Sequence, residues 1–323
     1  MYQLKYFILL FFLAPIFSTP SYSNDLSDPL ALTIPLNNWS SQRVLSYVVV
    51  KLIQRLGVNV KYQNITVADQ WGALRKGIVH IQIEVWQQSM SEDFNKMLNK
   101  NYIIDLGSHS AIVREEWWYP EYVEKECSGL PHWSALNECA HLFSTPSLQK
   151  GIFHTGRWDY HDADLIRSLD LNFTIKRSSN EKGLWDELKL SVANKRPLIL
   201  LNWSPNWTDV RMKGKFIEFP LYSPECENDP SWGINKDLVY DCGNIKTGWL
   251  KKAAWTGLKD TWPCVYSLMQ QIDLSHEMIA NASALVVIDG YSEEEAADKW
   301  IDKYHENIKS WLDIQCHSNK TSK

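Results

Sequence analysis

The chain has 323 residues and a formal charge of −5, from 33 Lys and Arg against 38 Asp and Glu. That length suits two lobes of about 100 to 200 residues each, and without a long basic run the electrostatic footprint of a nucleic-acid binder is missing. The anomaly is tryptophan, whose 16 copies outnumber 14 Gly and 10 Phe, although Gly is ordinarily among the commonest residues.

The first segment, residues 1–23, has an early Lys5, an apolar run from Phe7 to Phe17 and small residues at Ser21 to Ser23. This layout predicts a cleaved export signal; Pro15 interrupts the run, which falls short of the roughly 20 residues a membrane span needs. Export implies an oxidising compartment, so the six cysteines are expected in structural disulfides, with Cys127–Cys139 and Cys226–Cys242 the preferred local pairs.

After the signal, LTIPLNNW reads as a strand ending at Trp39, and Val44, Leu45, Val48, Leu52, Ile53 and Leu56 then recur at helical spacing up to Gly57. VNVKYQ predicts a second strand, the stretch around Trp71 to Lys76 a helix, and VHIQIEVW a third strand ending at Trp86. This βαβαβ order predicts a parallel sheet flanked by helices. SAIVREEWWYP is an extended crossing segment, after which GIFHT, NFTIKRSS and PLILLNW alternate with helical runs as a second βαβαβ unit. The expected architecture is α/β with two lobes, each a mostly parallel sheet flanked by helices: residues 24–119 with 206–323, and residues 120–205.

Ligands of open α/β sheets bind beyond the carboxyl ends of the strands. Trp39, Trp86, Trp158 and Trp203 sit at such ends, two from each lobe, and can converge in the cleft between lobes. Several indoles around a small cation attract it by about 0.5 to 2 kcal/mol each without hydrogen bonds, which suits a methylated ammonium. Trp71, Trp133, Trp185, Trp255, Trp300 and Trp311 lie within helical patterns and are expected in the core.

The segments LNNWSSQRVLSYVVVKLIQRLGVNV, IQIEVW, WWYPEYVEKECSGLPHWSALNE, GRWDYHDADLIRSLDL and LILLNWSPNW, in this order and spacing, resemble those of periplasmic substrate-binding proteins of ABC transporters for glycine betaine, choline and related methylamines. The resemblance covers nearly the whole mature chain. It implies a periplasmic, monomeric two-lobed clamp that closes on a methylated amine in an aromatic box and delivers it to a membrane permease, with no cofactor, no metal and no catalysis. It places Trp39, Trp86 and Trp203 in the box, Trp158 where betaine-type members carry a box Trp and choline-type members an acid, and one further aromatic on Trp117 or Trp118. Met90 stands where one betaine-binding subgroup has His, and Ser41 where choline-type members have an acid.

On an extended segment Glu116 and Trp118 share one face, and Glu115 and Trp117 the other. The expectation puts Glu116 and Trp118 in the cleft, where a carboxylate favours choline or trimethylamine N-oxide over glycine betaine; a one-residue slip puts Glu115 there instead. Backbone N–H groups at Asp159 and Tyr160 offer a site for a ligand carboxylate. The acidic loop from Glu225 to Asp241 lacks EF-hand spacing and reads as a solvated loop clipped by a disulfide. A rival reading is a secreted Trp-rich hydrolase or carbohydrate-binding protein, but the chain has no G-x-S-x-G elbow and no HExxH helix.

Overall fold

The computed structural model describes residues 31–158 and 160–314. The predicted export signal, Asp159 and Cys316 lie outside them. In chain order come β1 (Leu32–Leu36), α1 (Ser40–Arg55), β2 (Val60–Asn64), α2 (Val67–Lys76), β3 (Ile81–Trp86) and α3 (Gln87–Asn99). The apolar stripe of α1 is buried, and the chain leaves the helix through Gly57, whose φ of 77° favours glycine. Thr66 caps α2, its side chain accepting from Asp69 N.

The long β4 (Ile103–Pro120) leads into α4 (Ala135–Cys139), β5 (Gly151–Thr155), α5 (Asp162–Ser168), β6 (Phe173–Arg177), α6 (Glu181–Ala193) and β7 (Ile199–Ser204). Then follow α7 (Trp207–Arg211), β8 (Gly214–Phe216), β9 (Gly248–Trp255), α8 (Leu258–Thr261) and α9 (Pro263–Gln271), and last α10 (His276–Val287), α11 (Glu293–Lys303) and α12 (His305–Leu312). Among these helices none is long and apolar enough to cross a membrane.

β1 and β2 are parallel, and a hydrogen bond from His80 N to Thr33 O sets the start of β3 beside β1. β9 lies between β3 and the first half of β4, antiparallel to both. The second half of β4 pairs antiparallel with β7 and β8, while β5 runs parallel to β6 and β7. The two-lobed α/β architecture is therefore present with mixed sheets rather than mostly parallel ones. Two strands account for this: β9, which sequence analysis did not single out, runs against both β3 and β4, and the second half of β4 runs against β7 and β8.

One apolar cluster joins β1, β3 and β9 to helices α1, α10 and α11 and extends to Trp185, Trp203 and Trp207; a second holds Trp117, Phe153, Phe173 and Phe219. The disulfides Cys127–Cys139 and Cys226–Cys242 are both formed, and Cys264 has no disulfide partner among the described residues. Trp71, Trp185, Trp300 and Trp311 are buried in the first cluster.

Gly214 owes its identity to a close approach. A Cβ there would lie 1.8 Å from Cζ2 of Trp118, a ring that is 3% exposed and has no solvent to swing into. Gly214→Ala is expected to destabilise the protein by about 1–3 kcal/mol through overpacking, read as a lowered urea midpoint at unchanged slope.

Candidate functional site

Three of the strands end by delivering a tryptophan. Trp39 occupies the cap position before α1 and Trp86 the one before α3, both with extended backbone, and Trp203 lies on β7 opposite Glu115 of β4. The turn that carries Trp39 rests on a buried amide network. Asn37 N donates to Gln42 Oε1 at 2.8 Å, and Gln82 Nε2 donates to Asn37 Oδ1 at 2.7 Å and Gln70 Oε1 at 2.6 Å. None of these amides is left unpaired, and a fully satisfied network rigidifies what it supports.

Trp39, Trp86, Trp158 and Trp203 line one cavity of about 540 Å³, together with Asn38, Ser89, Met90, Glu115, Arg157, Tyr160 and the start of α2 at residues 66–68. Its volume lies in the range of small-molecule sites. Trp158 stands edge-on to Trp203 at 5.5 Å between ring centroids, and Trp185 packs behind Trp203 at 5.1 Å. The loop bearing Trp158 is held by Arg177, whose guanidinium donates to the carbonyl oxygens of Gly156 and Trp158. Trp207 is not in the cavity: it is fully buried, edge-on to Trp185.

Two acids attend these rings. Glu84, which sequence analysis did not single out, is fully buried two positions before Trp86. Its Oε2 accepts Nε1–H of Trp39 at 2.7 Å and of Trp86 at 3.0 Å, and the hydroxyl of Ser41 at 3.1 Å. Burial pushes its carboxyl up to about 7, although the three donors pull the other way. Glu115 lines the cavity itself, with Oε1 accepting from the Tyr160 hydroxyl at 2.7 Å and from Ser89 Oγ at 2.8 Å. Burial pushes it, too, up to about 7.

The expected pairing of Glu116 with Trp118 in the cleft is not what the structure holds. Glu116 turns onto backbone, accepting from Trp117 N at 3.1 Å and Asn244 N at 2.8 Å, and Trp118 packs against Gly214 in the core. Trp117 does not reach the cavity either; it stacks on Phe153 at 3.9 Å and donates Nε1–H to Asp162. From Glu115 to Pro120 every residue of β4 is buried, so alternation separates two faces without saying which one meets the cavity. The ring that completes the lining is Tyr160, which sequence analysis noted only for its backbone. Glu84 had a legible signal, an acid inside an apolar strand on the same face as Trp86.

Residues 31–303 match the family described as the substrate-binding domain of the ABC-type glycine betaine transport system. The chain belongs to this family. It is 34% identical over 290 residues to the trimethylamine N-oxide-binding protein of Pelagibacter ubique, covering 86% of this chain and 90% of that one. In fold it is similar to a lactococcal binding protein closed around glycine betaine, with a TM-score of 0.67 at 15% identity over 87% of this chain and 99% of that chain. It is similar also to a choline-binding protein in complex with choline, with a TM-score of 0.65 at 15% identity over 87% and 91% of the two chains. This substrate-binding protein is thus a binder and not an enzyme, and the hydrolase alternative falls away.

A third acid of the binding protein links α6 to α1. Glu181, at the start of α6, accepts from Ser40 N at 2.9 Å and Ser40 Oγ at 2.6 Å at the start of α1. Glu84, Glu115, Glu116 and Glu181 are all raised by burial from the ordinary 4.5 to about 7. Between those values the native state binds more protons than the unfolded state, so the stability they carry is complete below about 4.5 and is lost as pH rises through about 7. The apparent Tm of the ligand-free protein is expected to fall by about 3 °C or more from pH 5 to pH 8. Scanning fluorimetry across that range checks this, and a rising Tm contradicts it.

Proposed function

We propose that this substrate-binding protein is exported to the periplasm, acts as a monomer, and captures a small methylated amine, trimethylamine N-oxide foremost, for delivery to an ABC-transporter permease. The lobes, residues 24–119 with 206–323 and residues 120–205, close on the ligand. The observation that carries this reading is the gathering of Trp39, Trp86, Trp158 and Trp203 with one buried carboxyl, Glu115, around a single cavity. The methyl-bearing nitrogen is held by cation–π attraction, for which rings shielded from water are most effective. The 34% identity to a trimethylamine N-oxide-binding protein supports the choice of ligand.

Glu115 supplies the selectivity. Its Oε1 is taken up by Tyr160 and Ser89, and its Oε2 has no hydrogen-bond partner among the described residues. When the carboxyl is protonated, Oε2 carries a hydrogen to donate, and an N-oxide oxygen is an acceptor in need of a donor. Choline presents the opposite case, a cation with a donating hydroxyl that prefers the ionised carboxylate. A betaine carboxylate meets Glu115 with like charge, although Arg157 on the cavity lining offers it a counter-ion.

Titration calorimetry separates these cases. Trimethylamine N-oxide affinity is expected to fall, and choline affinity to rise, from pH 6 to pH 8. Glu115→Gln, which keeps a donor and loses the charge, is expected to hold N-oxide affinity within about threefold, to remove its pH dependence and to weaken choline by about tenfold or more, some 1.4 kcal/mol. Glu115→Leu weakens both, and Glu116→Gln neither. Arg157→Ala is expected to weaken glycine betaine alone. Absence of binding heat for every methylamine refutes the function, and unchanged affinities in Glu115→Leu refute the role of Glu115.

A further inference from the structure

Glu84 is a fully buried acid that does not line the cavity, yet one of its oxygens is shared by two rings that do. β3 reads Ile81-Gln82-Ile83-Glu84-Val85-Trp86 with no residue exposed. A charged side chain in such a strand is uncommon unless donors surround it. Here the donors come from three places: the turn before α1 through Trp39, α1 itself through Ser41, and the end of β3 through Trp86.

We propose that Glu84 is a positioning residue that orients the indoles of Trp39 and Trp86 relative to one another and so sets the shape of the first lobe's half of the cage. The proposal rests on the cage reading above. An indole has a single N–H, and it lies in the ring plane. Fixing that N–H on an external acceptor therefore fixes the rotation of the ring about its bond to Cβ. With both N–H groups on the same oxygen, the two rings turn about one common point, and the cage does not depend on packing alone to hold their mutual angle. When ionised, the carboxylate also makes these hydrogen bonds stronger than a neutral acceptor would. Ser41 steadies the acceptor in turn. Both rings are nearly closed to water, Trp39 being 5% and Trp86 3% exposed, so solvent is a poor substitute partner if the acceptor is withdrawn.

The test reads anchoring and binding separately. Indole N–H resonances of the ¹⁵N-labelled, ligand-free protein are assigned with Trp39→Phe and Trp86→Phe, and trimethylamine N-oxide affinity is measured by calorimetry. Glu84→Gln keeps an oxygen acceptor, and is expected to leave both resonances in place and affinity within about threefold. Glu84→Leu removes the acceptor, and Glu84→Asp, which preserves the charge for the case that the Leu variant does not fold, draws it back from the rings. Either is expected to shift both resonances together and to weaken binding by about tenfold or more. Unshifted resonances in Glu84→Asp and Glu84→Leu overturn the proposal. So does retained affinity in those variants when Trp86→Ala has lost it. If Trp86→Ala also binds like the wild type, the cage reading fails, and resonances that still move together show the anchoring to be real without it.

Discussion

A carboxyl group cut off from water must be met by donors, and in this protein that requirement arranges the cavity. Glu84 draws two indole N–H groups onto one oxygen, Glu115 draws in Tyr160 and Ser89, and Glu181 reaches across to Ser40. Each of these donors belongs to a different element from its acceptor, with Trp86 the one exception. The acids thereby tie together segments that the backbone ladders leave independent. Leaving such an acid with no donor at all would cost more than a typical hydrogen bond contributes, so donors are held at one oxygen of each, while the other has none among the described residues.

The two serines at the start of α1 join parts of the chain that are far apart in sequence. Ser40 bonds to Glu181 of α6 and Ser41 to Glu84, the acceptor shared by Trp39 and Trp86. A displacement of α6 relative to α1 therefore acts on residues next to each other in sequence, one of which steadies the anchor of Trp39 and Trp86. The same region is where Trp185 backs Trp203, so the packing of α6 bears on rings from both sides of the cavity. Topology reinforces this coupling. β4 belongs to both sheets, and Glu115 lies on it directly opposite Trp203 of β7. One strand thus places an acid and a neighbouring ring at fixed register, as a continuous ladder does and a flexible hinge would not.

The ligand chemistry proposed above would be selective in a way that a purely aromatic site is not. Indoles attract any compact methylated nitrogen, so they distinguish poorly among choline, glycine betaine and an N-oxide. A carboxyl poised near neutrality discriminates by the hydrogen-bonding character of whatever the nitrogen carries, as donor, acceptor or anion. With that group on β4 and the rings on other segments, the proposal assigns affinity and selectivity to different parts of the chain.

Much of this was legible in the linear chain. The stripe of Val44, Leu45, Val48 and Leu52 and the alternation in VNVKYQ are local patterns, set by helix and strand periods, and they identify α1 and β2 without reference to anything distant. Tryptophans just after or at the ends of β1, β3, β5 and β7 are likewise visible, because strand ends are marked by the turn and cap residues that follow, and the four rings do meet. Only the tertiary structure could decide which neighbour of a pair matters. Glu115 and Glu116 are indistinguishable on a strand buried on both faces, and the choice falls on Glu115 because Tyr160 and Ser89 arrive on its side while Asn244 arrives on the other. Glu84 is the same case at longer range: its meaning depends on Trp39, 45 residues away in sequence. β9 escaped notice because a strand with Lys251 and Lys252 in its centre carries no clean alternation, and its place between β3 and β4 is settled by pairing with both. Periodicity is a property of neighbours along the chain, whereas the partner of a buried acid is a property of neighbours in space.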